Sequence, residues 1–477
     1  MKRVAIIGAG IAGLSTAYYL YKLSRQGGRP LEIILLEKEG RLGGSILTER
    51  AEGFLMEGGP DCFLSEKPWA LQLCRELGLE GELVGTNQEA SRTFILWQGR
   101  LHELPEGFML LVPTSLWPFV KSPLFSLPGK LRMGLDLILP RKRTDEEESL
   151  AAFVRRRLGR EAMERIAEPL VAGIHAGDPE AMNLQSTFPR FIDLEREHRS
   201  LIWGMYRRKK RFLSHFNSSY TMFVTLKEGM EQMVSALGKA LPPRSIFLER
   251  EVVEVEKVIG EPAGRPRYHL RIRGEERGLE VDALVLAAPA FVTAGLLQGV
   301  NDDIVNQLLT IPYCSTATIN LAYRRPQIGH PLDGYGFVVP RLEGLKIMAA
   351  TFSSVKFPQR APKGMVLLRC FVGGAKNEEL VSWGDEELLA AVRNDIDEIL
   401  KIEGAPFLVR IFRWARAMPQ YTLGHEERLS LIQRGLSRHP GLFLTGSAYR
   451  GIGISDCVHQ AELTAQKALQ FVKNKGL

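Results

Sequence analysis

The sequence predicts an α/β protein of two or more lobes, with a parallel βαβ unit at its start and a separate mixed sheet further on. Three observations predict it. A chain of 477 residues is longer than one ordinary core serves. Strand, helix and strand patterns follow one another within the first 37 residues, the signature of a right-handed crossover. Short alternating strand patterns then recur between Phe247 and Ala288 and through residues 315–375.

Val4-Ala5-Ile6-Ile7 is a continuous apolar run ending in glycine, as in a strand buried on both faces. Ala12 to Leu23 reads as a helix with Leu14, Ala17, Tyr18 and Leu20 on one side, broken by Gly27-Gly28-Arg29-Pro30. Leu31 to Glu37 is the second strand. The stretch from Arg92 to Arg143 is rich in proline and large apolar residues, and Ser149 starts a helical pattern running through Phe153, Leu158, Ile166 and Leu170. Val252–Val255 and Val281–Leu286 belong to a meander that returns to the first lobe. Leu442–Gly446 and Ser455–Lys473 are a final strand and closing helix. The expected division assigns 1–90, 225–295 and 405–477 to one discontinuous lobe. Residues 296–404 form the sheet of a second lobe, and 91–224 its helical entry region.

Composition narrows the function. Hydrophobic content of 45% and charged content of 25% are ordinary for a globular protein. The net charge of +7 suits an anionic ligand or membrane surface, but no nucleic-acid motif accompanies it, so no nucleic-acid partner is expected. Basic runs such as Arg141–Arg143 read as solvated faces. Cys62, Cys74, Cys314, Cys370 and Cys457 stand far apart without a metal-ligand spacing, so no metal is expected and the thiols suit a reducing, cytoplasmic compartment. No apolar run reaches the roughly 18–20 residues of a spanning helix.

Gly8-Ala9-Gly10-Ile11-Ala12-Gly13 fits G-x-G-x-x-G after a strand and at the start of a helix. The first glycine makes the turn, the second lets backbone approach a pyrophosphate, and the third packs helix on strand. Glu37 follows 24 residues after Gly13, where a carboxylate accepts the ribose hydroxyls; this argues against NADP and leaves NAD or FAD. The next segment, Glu37-Lys38-Glu39-Gly40-Arg41-Leu42-Gly43-Gly44-Ser45, resembles the E-x-x-x-R-x-G-G segment of the flavin monoamine oxidase superfamily. Gly446 and Gly451-Ile452-Gly453-Ile454 resemble that superfamily's second FAD contact, where a helix N-terminus faces the flavin.

A narrower resemblance runs from Val4 to the last helix. Glu57-Gly58-Gly59-Pro60-Asp61-Cys62-Phe63, Phe94-Ile95-Leu96-Trp97, Glu168 to Pro179, Ser186-Thr187-Phe188-Pro189, and Trp414 with Met418-Pro419-Gln420-Tyr421 are similar to segments of the bacterial FAD-dependent protoporphyrinogen/coproporphyrinogen oxidase family. The resemblance implies an amine-oxidase-type fold, FAD bound by the motifs above together with Gly59, Pro60, Asp61, Cys62, Val252 and Trp414, and oxidation of a porphyrinogen by hydride transfer to the flavin and then to oxygen. It implies Gly173, Leu332 and Met348 against the macrocycle, with Arg92 or Thr93 at a propionate. No catalytic nucleophile or base is expected, and His175 is read as structural. The resemblance also implies contact with a membrane surface, a transient contact with the next haem-pathway enzyme, and a monomer or homodimer. Two readings stand for residues 108–139: a membrane-dipping surface, or a buried lid over the substrate cavity. Other hydride-abstracting members of the superfamily, amine oxidases and carotenoid desaturases, are the competing class, and a non-catalytic scaffold is a more distant one.

Overall fold

The computed structural model describes residues 1–474 except 29, 110, 145, 216–219 and 261–264. The first sheet is fully parallel, in the order Ile246–Phe247, Leu31–Leu36, Lys2–Ile7, Ala283–Leu286, Leu442–Leu444. Both faces are covered, as a parallel sheet requires. On one face the helices Ile11–Gln26, Glu231–Ala240 and Ile454–Asn474 bury Leu14, Ala17, Val234, Val458 and Ala465. On the other, the meander Val252–Gly260, Arg265–Ile272, Leu279–Val281 packs with helices 290–296 and 302–309. The predicted βαβ unit, meander, final strand and closing helix are all present.

The second sheet has seven strands, in the order Leu408–Pro419, Tyr313–Arg324, Met365–Gly373, Ile347–Phe352, Gly334–Val338, Arg92–Trp97, Arg100–Glu103. It is mixed: only Gly334–Val338 and Arg92–Trp97 pair in parallel. Its back face is an apolar core that includes Phe94, Ile319, Phe337, Phe352, Leu368 and Cys370, covered by helix Asp385–Leu400 through Leu388, Val392 and Ile396. Alternation along each strand sends the other residues to the front, toward the first lobe. Leu408–Pro419 belongs to this sheet, so the chain rejoins the parallel sheet at Leu442 rather than near residue 405.

Ser149 caps helix Leu150–Arg157 through the Ala152 N–H at 3.1 Å. The predicted helical run is interrupted at Gly159 (φ +92°). It resumes at Arg160 and continues, through one wide turn at Met163–Ala167, into Glu168–His175. This helical region is pinned by the fully buried Arg157, whose Nε donates to Asp136 Oδ1 at 2.7 Å while Ser200 Oγ donates to Oδ2 at 2.7 Å.

Candidate active site

The glycine loop is shaped by contacts that leave no room for side chains. Gly8 has φ +98°. A Cβ on Gly13 would lie 1.9 Å from the Gly8 carbonyl oxygen, whereas one on Gly10 meets nothing within 4 Å. The helix Ile11–Gln26 therefore starts against the strand with an open space before its N-terminus, where unpaired N–H groups and the helix dipole favour phosphate. The second glycine turn closes on the first: the Gly43 N–H donates to the Ala9 carbonyl at 2.8 Å, and a Cβ on Gly44 would sit 3.2 Å from the Gly10 Cα. Arg41 holds that turn from within, donating to the carbonyls of Leu42, Gly44 and Ile46. Glu37 is nearly buried and accepts from the N–H groups of Ala9 (2.6 Å) and Glu39 (3.0 Å), which fixes its carboxylate beside the loop. Lys38 points outward to Glu39, and Ser45 is exposed at the turn. Val252 is buried beside this end, in a segment that pairs with Glu37 through the Arg250 N–H.

The chain's end completes the cradle. Gly446 (φ +122°) lies by Ala12, 4.0 Å from a Cβ built on it. Gly451 and Ile452 are half-buried, Gly453 is exposed, and Ile454 opens the closing helix. Lys67 Nζ donates to both Asp456 carboxylate oxygens (2.7 and 2.6 Å), tying that N-terminus to the segment after Cys62.

Deeper in, a Cβ on Gly59 would lie 1.7 Å from the Ser45 carbonyl oxygen, so Gly58–Cys62 runs directly on the second glycine turn. The front face of the seven-stranded sheet seizes this segment. The Gly58 carbonyl accepts from Trp414 Nε1 (2.8 Å), Thr318 Oγ1 (2.8 Å) and Arg369 Nη2 (3.5 Å), and Arg369 also donates to the Gly59 carbonyl. Asp61 accepts from Lys356 Nζ at 2.9 Å and from the Cys62 thiol at 3.0 Å. Burial acts against the Asp61 carboxylate, but Lys356 and Arg369 overcome it and hold the group well below the usual carboxylate range; the Cys62 thiol is pushed up to about 12 by burial and by Asp61. Behind them, burial lifts Glu57 to about 7 despite bonds from Thr48 Oγ1 and the Met230 N–H.

Gly173 faces the same sheet further along: a Cβ there would lie 3.6 Å from Val338 Cγ1 and 3.9 Å from Ala349 Cβ. Its neighbour Ile174 is 53% exposed. Thr93 and Ile95, Val338, Ala349, Thr351 and Phe371 share the front face by register. His175 packs edge-on against Phe188; burial, helped by Lys67, lowers it to about 4 and leaves it neutral at pH 7.

Three of the expected substrate contacts are not brought to this wall. Leu332 lies in the back-face core with φ +55° because its segment turns under the sheet edge. Met348 sits at a bulge between Ile347 and Ala349, beside Gly374 and Ala176 at the rim. Arg92 is turned to solvent and held by Asp333 (2.6 Å) and Glu103 (3.6 Å). Sequence reasoning missed Val338, Ala349, Thr318, Lys356 and Arg369. Strand register puts four of them on the front, and Lys356 comes from the short helix Ser353–Lys356.

This geometry defines a class: a two-lobed protein with a dinucleotide-binding lobe. The model of the flavin containing amine oxidoreductases matches residues 11–469. The chain is 35% identical over 474 residues to the coproporphyrinogen III oxidase of Bacillus subtilis (strain 168), covering 99% of this chain and 98% of that one. It is 30% identical to the chloroplastic protoporphyrinogen oxidase of Nicotiana tabacum, covering 98% and 85% respectively. A solved structure from Exiguobacterium sp. 255-15, described as a protoporphyrinogen oxidase, superposes with a TM-score of 0.85 at 32% identity, covering 98% of this chain and 99% of that one. The chain belongs to the flavin containing amine oxidoreductase family, on its coproporphyrinogen/protoporphyrinogen oxidase branch. Its cofactor is FAD, and the residues present fit it: an open phosphate seat before Gly10, a carboxylate at the ribose position, and a second helix N-terminus at the far end.

Proposed function

We propose that this chain oxidises a porphyrinogen to the porphyrin in haem biosynthesis, with coproporphyrinogen III preferred over protoporphyrinogen IX. The observation that carries the reading is the side-chain-free helix position Gly173, packed on Val338 and Ala349 of the same sheet face that holds Gly58–Cys62 against the dinucleotide cradle. The full-length likeness to coproporphyrinogen III oxidases supports the choice of substrate. FAD held here would supply the hydride acceptor for three two-electron rounds, with oxygen as the final acceptor and peroxide as product. The chain's own part is binding and exclusion. Glu37 and the two glycine turns fix the cofactor, and Trp414, Thr318 and Arg369 hold Gly58–Cys62 as a rigid floor. The helix Glu168–His175 packs at Gly173 on Val338 and Ala349 and covers that end of the sheet.

The surface of the entry region belongs to the same reading. Trp117, Leu127, Leu131, Leu137 and Ile138 are each more than half exposed, which supports the surface-contacting reading of residues 108–139. Lys121 lies 4.7 Å from the Trp117 ring, and Lys130 is on the adjoining helix. Such a patch seats on an anionic membrane, from which a poorly soluble ring can be exchanged. Among the described residues, no helix is long and apolar enough to cross a membrane.

The test mixes yellow purified protein with coproporphyrinogen III, and separately with protoporphyrinogen IX, in air, and follows porphyrin fluorescence. A rise well above autoxidation, with the larger kcat/KM for coproporphyrinogen III, is expected. No rise with either, from protein that holds FAD, refutes the reading and returns the chain to amine or desaturase substrates.

A further inference from the structure

The floor of the cleft carries an excess of positive charge. Around Gly58–Cys62, Lys356, Arg360 and Arg369 face two carboxylates, Glu57 and Asp61. Lys356 is matched to Asp61 at 2.9 Å and Arg360 to Glu57 at 3.8 Å. Arg369 is only 3% exposed and has no carboxylate within 4.0 Å among the described residues. Its Nη2 reaches the carbonyls of Gly58 and Gly59, its guanidinium lies 4.8 Å from the Phe371 ring, and its Nε has no partner.

Its direction is fixed by the strand. Val366, Leu368, Cys370 and Val372 enter the back-face core, so Arg369 and Phe371 lie on the front face, where Gly58 and Gly59 cover Arg369. The residue paired with Arg369 across the sheet is Asn320, whose Oδ1 is also buried without a partner. The two strands thus present an unpaired donor and an unpaired acceptor together, beside the segment that lies on the second glycine turn. A buried, unmatched guanidinium is costly unless a ligand brings the missing negative charge.

We propose that Arg369 is a positioning residue whose counter-charge is the negative charge carried by reduced FAD, so that it raises the reduction potential of the bound cofactor. This rests on the FAD assignment above. A cation beside the ring stabilises the reduced, anionic form more than the neutral oxidised form, and the equilibrium moves toward reduction. Arginine suits the place because it stays charged when desolvated and can donate to two backbone carbonyls at once.

The experiment is a redox titration of the FAD-loaded protein against a dye of known potential, for wild type, Arg369→Met, Arg369→Gln and Arg369→Lys. Arg369→Met and Arg369→Gln are expected to shift the reduced-to-oxidised ratio at a given potential at least tenfold toward oxidised, about 30 mV for a two-electron couple. Arg369→Lys, which keeps the charge, should stay near wild type. If the Met variant fails to hold FAD, the gap between Gln and Lys reads the same quantity. Potentials unchanged in the neutral variants overturn the proposal. So does an unchanged potential with a raised KM for porphyrinogen, which would assign Arg369 to a substrate carboxylate. A wild-type protein that takes up no FAD would refute the functional reading itself, a result separable from either of these.

Discussion

Gly13 and Gly10 stand three residues apart in one motif, and the structure predicts opposite consequences for filling them. Alanine at Gly13 puts a methyl group 1.9 Å from a backbone carbonyl, where ordinary contact begins at 3.4 Å, so helix and strand must separate by about 1.5 Å. Overpacking against backbone costs about 3 kcal/mol, offset by up to about 1 kcal/mol from alanine's better helix propensity, leaving about 2 kcal/mol of lost stability. Alanine at Gly10 meets no protein atom within 4 Å, and the backbone there (φ −68°, ψ 176°) suits any residue. Its cost to the cofactor-free fold is under about 1 kcal/mol, the loss of a favourable helix N-cap. It stands, however, where the pyrophosphate would lie, and FAD affinity should fall at least tenfold, about 1.4 kcal/mol. Urea unfolding of FAD-stripped protein and quenching of flavin fluorescence on binding separate the two effects. The reasoning is wrong if Gly10→Ala destabilises the stripped protein as much as Gly13→Ala, or binds FAD as tightly as wild type.

Burial holds Glu57 near 7 against an ordinary 4.5, so the folded protein keeps a proton there that the unfolded chain releases. Stability from this group is therefore greatest below pH 4.5, declines by up to about 3 kcal/mol as pH rises to 7, and is level above. Glu57→Gln should gain on wild type across that window, measured by unfolding midpoints; a gap independent of pH would remove the cause. Val338→Trp should crowd the helix at Gly173 and cut porphyrinogen turnover more than tenfold while FAD stays bound, and unchanged kinetics would place the ring elsewhere. Leu131→Asp with Ile138→Asp should abolish sedimentation with phosphatidylglycerol vesicles without altering turnover in detergent, and retained binding would move the membrane contact to another face.

The dinucleotide end was legible in the sequence because its requirements are local. Gly8, Gly13 and Glu37 act within one βαβ unit, and each residue type follows from a single steric or hydrogen-bonding demand. The substrate wall was less legible, since a residue's face depends on the register of distant strands. Leu332 and Val338 are six positions apart and equally apolar, yet one is sealed in the back-face core and the other looks at Gly173. The partner of Arg92 was illegible for a similar reason: Asp333, far along the chain, pairs with it at the surface. Lys356 and Arg369 stand in segments with no charge pattern to mark them, and only the packing of two lobes shows that they converge on Gly58–Cys62.

The helix Ile454–Asn474 lies along Ile11–Gln26, with Val458, Ala465 and Leu469 in the same core as Leu14, Ala17 and Leu20. The first and last parts of the FAD cradle are thus separated by more than four hundred residues of synthesis. While the chain is still on the ribosome, the glycine loop has no opposing wall and the parallel sheet lacks its Leu442–Leu444 edge. A cradle closed at both ends therefore requires that the helix Ile454–Asn474 has been made.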